Sequence, residues 1–226
     1  MYLCSFFSPL SLLADGSVVS KIYHPYVQPL EKEIELRTLY EKDDNNNDQQ
    51  KVKLGYGQSL SDSWFGEIYL IAHKDGGDAF AIEAYEAELK WQITEQGEYA
   101  ADWGLLFELE KEEGDAWEAA STLLVEHQWG RLIGAANLSA IYEWGDKIDD
   151  ELESKLALQM RYRHSPRFEP AIEFFSGQDY KGIGPLIMGR EILGPARRLR
   201  WELGASFAIS SDSPDLTIKT ALEYEF

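Results

Sequence analysis

The chain has 226 residues, with 40 acidic side chains against 21 basic ones and a net charge of -19, a balance that argues against duplex nucleic acid as a partner. Its single cysteine, Cys4, leaves the body of the chain without a disulfide or thiol chemistry, and no run reaches the eighteen or so apolar residues of a membrane helix. If the chain spans a bilayer it does so as a closed barrel, because backbone polar groups facing lipid must be paired within the sheet.

Residues 1–14 form an apolar run that stops at Ala14 before Asp15. They are expected to be a truncated signal peptide cleaved after Ala14, its basic start lying upstream; a short buried strand is the alternative. Residues 15–29 carry Pro25 and Pro29 and no period, as a periplasmic leader would. His24, beside Pro25 and Tyr26, suggests no metal site.

From Leu30 to Phe226 the chain divides into alternating segments of about nine to fifteen residues, separated by Gly, Pro, Asn or Asp clusters. The first sets Leu30, Ile34, Leu36, Thr38 and Tyr40 against Glu31, Glu33, Glu35 and Arg37. An acidic tip, Asp43 to Asp48, follows; it begins like a calcium loop but has Asp48 and Leu54 where Gly and Glu belong, so no metal site is expected. The second, Gln50 to Leu60, is weakened by Gly55 and Gly57, which leave its lipid face poorly defined. In the third, Trp64, Ile68 and Leu70 oppose Glu67 and His73. The fourth, Ala79 to Thr94, alternates except at Glu83, whose wrong parity calls for a bulge or an early exit from the membrane.

Segments five to eight alternate clearly, with Glu108, Glu126, Arg161 and Arg163 among the polar positions. The ninth runs from Phe168 to Ser176, and the tenth, Ile183 to Leu193, is rich in glycine and ambiguous. The eleventh sets Trp201, Leu203 and Phe207 against Arg200 and Glu202. The last sets Leu216, Ile218, Leu222, Tyr224 and Phe226 against Lys219, Glu223 and Glu225, bringing the count to about twelve.

Trp64, Trp103, Trp117, Trp129, Tyr142, Trp144, Tyr162, Trp201 and Tyr224 all share the apolar parity, several of them near segment ends, as interfacial girdles require. Connections after odd segments are mostly acidic, and those after even segments are shorter or more basic. The predicted fold is therefore all-β: a closed up-and-down antiparallel transmembrane barrel of about twelve strands over residues 30–226.

In its final strand the chain resembles the bacterial outer-membrane β-barrels, whose closing strand alternates and ends in an aromatic residue. Leu222, Tyr224 and Phe226 match that assembly signal. The resemblance implies the outer membrane of a Gram-negative bacterium as location. Its implied partners are outer-membrane lipid and lipopolysaccharide, the barrel assembly machinery and periplasmic chaperones.

The inward parity carries Glu33, Glu35, Arg37, Glu88, Glu108, Glu126, Arg161, Arg163, Arg200 and Glu223 as candidate lumen charges. About twelve strands give a lumen narrow enough for Glu and Arg to bridge, either plugged by paired charges or open as an acid-lined pore preferring cations. A narrow pore for small solutes or ions is the leading expectation. A closed structural or partner-binding barrel and a soluble acidic sandwich or lipocalin-like binder are the alternatives. The outer-membrane phospholipase and lipid A deacylase use a His-x-Ser arrangement, which His127-Gln128-Trp129 lacks, and in His164-Ser165 the two residues are adjacent. No enzyme and no cofactor are expected.

Overall fold

The computed structural model describes residues 21–42, 48–114, 116–146, 148–178, 180–210 and 213–226. Residues 1–14, expected as a signal peptide, and most of the acidic tip at 43–47 lie outside the described residues.

Twelve strands are formed in chain order: β1 (Lys32–Lys42), β2 (Gln49–Ser59), β3 (Trp64–Asp75), β4 (Ala81–Gln92), β5 (Asp102–Glu112), β6 (Ala116–Trp129), β7 (Leu132–Gly145), β8 (Glu151–Tyr162), β9 (Glu169–Ser176), β10 (Lys181–Gly194), β11 (Arg197–Ala208) and β12 (Leu216–Glu225). Each pairs with its neighbours in sequence, and the ring closes. The closing ladder is antiparallel from Glu33 opposite Glu225 to Lys42 opposite Leu216. Sealing the ring pairs the edges that an open sheet would leave bare, which is what lets strands cross a membrane.

Alternation decides which way the side chains point. Ile68, Leu152 and Ile192 stand on the outer face, at 64%, 73% and 75% exposure, while Glu35, Glu67 and Glu126 are buried inside. A sandwich or a lipocalin-like barrel would bury the apolar parity, so this arrangement excludes both. Aromatic pairs gather at each end of the wall. At the end where β1 begins, Trp64 stacks on Trp91 at 5.4 Å, and Tyr224 on Phe226 at 5.8 Å. At the opposite end Trp117 stacks on Trp144 at 6.3 Å. We call the first end the lower mouth.

Two irregularities have local causes. The β3–β4 register shifts because Ile71 faces Ala84 while Ala72 faces Ile82, which leaves Glu83 as the extra residue. That bulge lets Glu83 face Lys51 at 3.2 Å, as its wrong parity requires. In β2 the glycines fall on the inner face, so the lipid face is well defined by exposed Leu54 and Tyr56. The expectation of a poorly defined face is corrected here. The glycines make room for rings: a Cβ on Gly55 would lie 2.3 Å from Tyr69, and one on Gly57 would lie 2.7 Å from Phe65.

Candidate functional site

The lumen contains a second piece of this chain. Residues 21–29, expected in the periplasm as a leader, run down the barrel from mid-depth to the lower mouth. There Gln28, Pro29, Leu30 and Glu31 turn into β1, closed by the Glu31 N–H donating to the Gln28 carbonyl at 3.3 Å. Proline suits the second position of such a turn, and Leu30 at φ 65 takes the left-handed third position.

What holds the segment is almost entirely side chains. Asn137 on β7 accepts from the Tyr23 N–H at 2.7 Å and donates to the Tyr23 carbonyl at 2.9 Å. The Tyr23 hydroxyl donates to Glu88 on β4 at 2.6 Å and accepts from Arg37 on β1 at 2.9 Å. Lower down, His24 Nδ1 lies 2.5 Å from Glu126 on β6, and the Tyr26 hydroxyl, with one proton to give, lies between Asp102 on β5 at 2.6 Å and Glu126 at 2.9 Å. The Val27 N–H donates to Gln92 at 2.7 Å, and Gln28 accepts from Arg198 on β11 at 2.7 Å. Since these contacts reach opposite walls, the segment bridges the cross-section of the barrel.

Apolar packing seats the same residues. Ile22 packs with Ala135, Ala157, Phe175 and Tyr180, and Tyr23 packs with Leu106 and Leu124. These wall positions face inward, where a water-filled pore has no use for Phe or Leu. The segment supplies the partner that removes them from water. Pro25 is fully buried and lies against Gly104, where an added Cβ would be 3.0 Å from the proline ring.

Nine of the ten predicted lumen charges face the interior or its mouth. Glu35 binds Arg37 at 2.7 Å, and Lys21 reaches Glu35 at 3.2 Å and Glu223 at 3.1 Å. Arg200 pairs with Glu223 and Glu225, Arg161 pairs with Glu169 at 3.0 Å, and Glu108 accepts from Thr122 at 3.3 Å. Glu33 is buried next to Glu35 and Glu223, their carboxylate oxygens lying within 4.8 Å of one another. Arg163 is the exception. Strand β8 has ended at Tyr162, so its guanidinium sits on the rim and donates to the Gly130 carbonyl at 3.4 Å.

Above the segment, a cavity is lined by Lys21, Arg37, Lys51, Lys53, Glu202 and Lys219. Its cations are held by carboxylates: Lys51 by Glu83, Lys53 by Glu86 and Lys219 by Glu173. Among the described residues, the buried charges are eleven carboxylates against two cations, Arg37 and Lys219, so the interior as a whole is acidic. At the lower mouth, outside the strands, burial and the nearby Glu225 carboxylate push the Glu31 carboxyl up to about 7.

Of the remaining candidates, Leu222 and Phe226 project outward and are exposed. The Phe226 N–H donates to the Lys32 carbonyl at 2.8 Å, adding one bond to the seam. His127 contacts the Ala100 carbonyl and packs edge-on against Trp129, and His164 does the same against Phe168.

Reading the sequence by strand period missed Lys21, Tyr23, His24, Tyr26, Val27 and Gln28. A signal was present: Ile22, Tyr23, Tyr26 and Val27 fall within six residues, a density of large apolar groups that a solvated leader does not carry.

No protein-family model and no curated protein sequence matches the chain. Solved structures do match its fold. An outer membrane channel from Pseudomonas putida F1 is 13% identical with a TM-score of 0.61, covering 92% of this chain and 98% of that one. The KdgM porin is 10% identical with a TM-score of 0.57, covering 86% and 99%, and it has also been solved in complex with oligogalacturonate, at a TM-score of 0.54. The structural neighbours are thus outer-membrane β-barrels, channels and porins, and the fold shared with them is the closed antiparallel barrel.

Proposed function

We propose that this chain is a non-enzymatic channel of a Gram-negative outer membrane whose narrow lumen prefers small cations and is held shut by residues 21–29. The observation that carries this reading is the mode of attachment. The segment is fastened by side-chain hydrogen bonds and ion pairs rather than by a strand ladder, so releasing it leaves every wall strand paired. The cation preference follows from the excess of buried carboxylates. The same excess disfavours a polyanion such as the oligogalacturonate of the KdgM complex.

Lipid contacts the outer wall, and the acidic loops at the upper end meet lipopolysaccharide. Leu222, Tyr224 and Phe226 present the assembly signal to the assembly machinery and periplasmic chaperones. A closed structural barrel is the second reading, favoured by the filled lumen.

Recording in planar bilayers under a salt gradient separates the two. The channel reading expects brief, small openings with a reversal potential on the cation side. Silence across salts and voltages, in both the native chain and a variant with the Tyr23 seat removed, overturns it in favour of the closed barrel.

A further inference from the structure

We infer that Glu33, Glu35 and Glu223 form a binding site for the primary ammonium group of a small solute, which the ammonium of Lys21 occupies as a tethered stand-in. The inference rests on reading the lumen as a solute path and names what that path recognises.

The three carboxylates come from β1 and β12 on either side of the barrel seam, where Glu35 faces Glu223 directly across the ladder. All three are buried, at 4%, 1% and 6% exposure, and their ligand oxygens lie within 4.8 Å of one another. The Nζ of Lys21 sits among them, 3.2 Å from Glu35 and 3.1 Å from Glu223.

An ammonium carries three donors, and Lys21 spends two on these carboxylates. The third carboxylate, Glu33, receives neither of those two bonds, and the second oxygen of Glu35 is buried without a hydrogen-bond partner. An unpartnered acceptor at this burial is costly, so the site is only part-filled by the tethered group. The Tyr23 ring, 5.7 Å from Nζ, adds an aromatic face that an ammonium favours.

Charge selects the ligand class. Arg37 already pairs with Glu35 at 2.7 Å, and Arg200 with Glu223 at 3.1 Å. Arg200 is shared with Glu225, which it meets at 2.7 Å, so the three carboxylates outnumber their guanidinium partners by at least one charge, which the Lys21 ammonium, or a solute ammonium in its place, offsets. A divalent metal needs more oxygen ligands at closer range than three carboxylates shared with two arginines provide.

The test is diaminobutane binding to the full-length chain in detergent micelles, measured by titration calorimetry and by the thermal unfolding midpoint, with Mg2+ as the comparison. Replacing the competitor by Lys21→Met, which keeps the stem, should tighten diaminobutane binding about tenfold, as expected when an internal occupant is removed. Adding Glu33→Gln to that variant should reverse the gain. Unchanged affinity in Lys21→Met, an equal gain for Mg2+, or no loss from Glu33→Gln overturns the site. If Lys21→Met does not reach the folded barrel, Glu33→Gln alone serves: weaker diaminobutane binding supports the site and unchanged binding overturns it. Binding in micelles does not require conduction, so a silent bilayer with intact binding defeats only the channel reading. A conducting barrel that ignores diaminobutane defeats only this one.

Discussion

Asn137 grips Tyr23 by its backbone, accepting from the N–H at 2.7 Å and donating to the carbonyl at 2.9 Å, so that one side chain plays the part of a neighbouring strand. This two-bond clamp satisfies both main-chain groups of a residue buried in the middle of the lumen. It is a seat, and it leaves the β7 ladder untouched. Asn137→Leu keeps the volume but orphans both groups, at about 1–3 kcal/mol each. Longer and more frequent openings in planar bilayers are expected, with little change in the urea midpoint of the barrel.

Gly104 tests the seat from below. A Cβ there would meet Pro25 at 3.0 Å and the Trp91 carbonyl at 3.1 Å. Alanine therefore shifts the proline by a few tenths of an ångström, while the larger side chain of Gly104→Leu cannot share the space. Gly104→Leu should unseat residues 21–29 and raise conductance, and Gly104→Ala should behave nearly as the native chain. Equal conductance in the native chain and both variants would mean that the segment does not close the pore.

The packing of Tyr69 over Gly55 makes a stability prediction. The ring occupies the space of a Cβ, 2.3 Å away, and its hydroxyl donates to Glu67 at 2.6 Å and accepts from Arg37 at 2.7 Å. Gly55→Ala must push the ring off the glycine and strain these bonds. A loss of about 1–3 kcal/mol is expected from overpacking, read as a lowered urea midpoint in detergent.

Glu31 gives the lower mouth a pH dependence. Burial and Glu225 push its carboxyl up to about 7, so the folded barrel holds this proton more tightly than the unfolded chain, where the value is 4.5. Stability from this group is therefore full below that unfolded value and is lost as the pH rises toward 7. Glu31→Gln should remove this part of the slope and leave the variant relatively more stable at pH 8 than at pH 5. The effect is modest because the side chain is only half-buried. Unfolding midpoints of both proteins across that range provide the check.

Phe226 separates assembly from stability. In the folded barrel its ring stacks on Tyr224 at 5.8 Å on the exposed outer wall, and its N–H contributes one seam bond that alanine would keep. Phe226→Ala should therefore change the urea midpoint of refolded protein by less than about 1 kcal/mol. In cells, the amount reaching the outer membrane should fall severalfold. A matching loss in both measurements would assign Phe226 to the fold and not to the assembly signal.

The sequence by itself determined the wall. A period of two over twelve segments fixes which side chains face lipid, and twelve such faces have no stable home except a closed ring. That is why the strand count, the aromatic ends and the bulge at Glu83 were all legible from local pattern. The inward glycines of β2 were misread because their meaning depends on Tyr69 and Phe65 of the next strand, a neighbour that a single segment does not reveal.

Only the tertiary structure decided what fills the barrel. Lys21, Tyr23 and His24 find Glu223, Asn137 and Glu126 at separations of 202, 114 and 102 residues. No periodicity encodes pairings of that range, because each depends on the ring closing first and bringing the walls round the segment. Strand parity assigned ten charges to the lumen, but which of them bind one another and which hold residues 21–29 was set by closure and depth. Rim position likewise took Arg163 out of the lumen, since the strand that would have carried it inward stops one residue earlier.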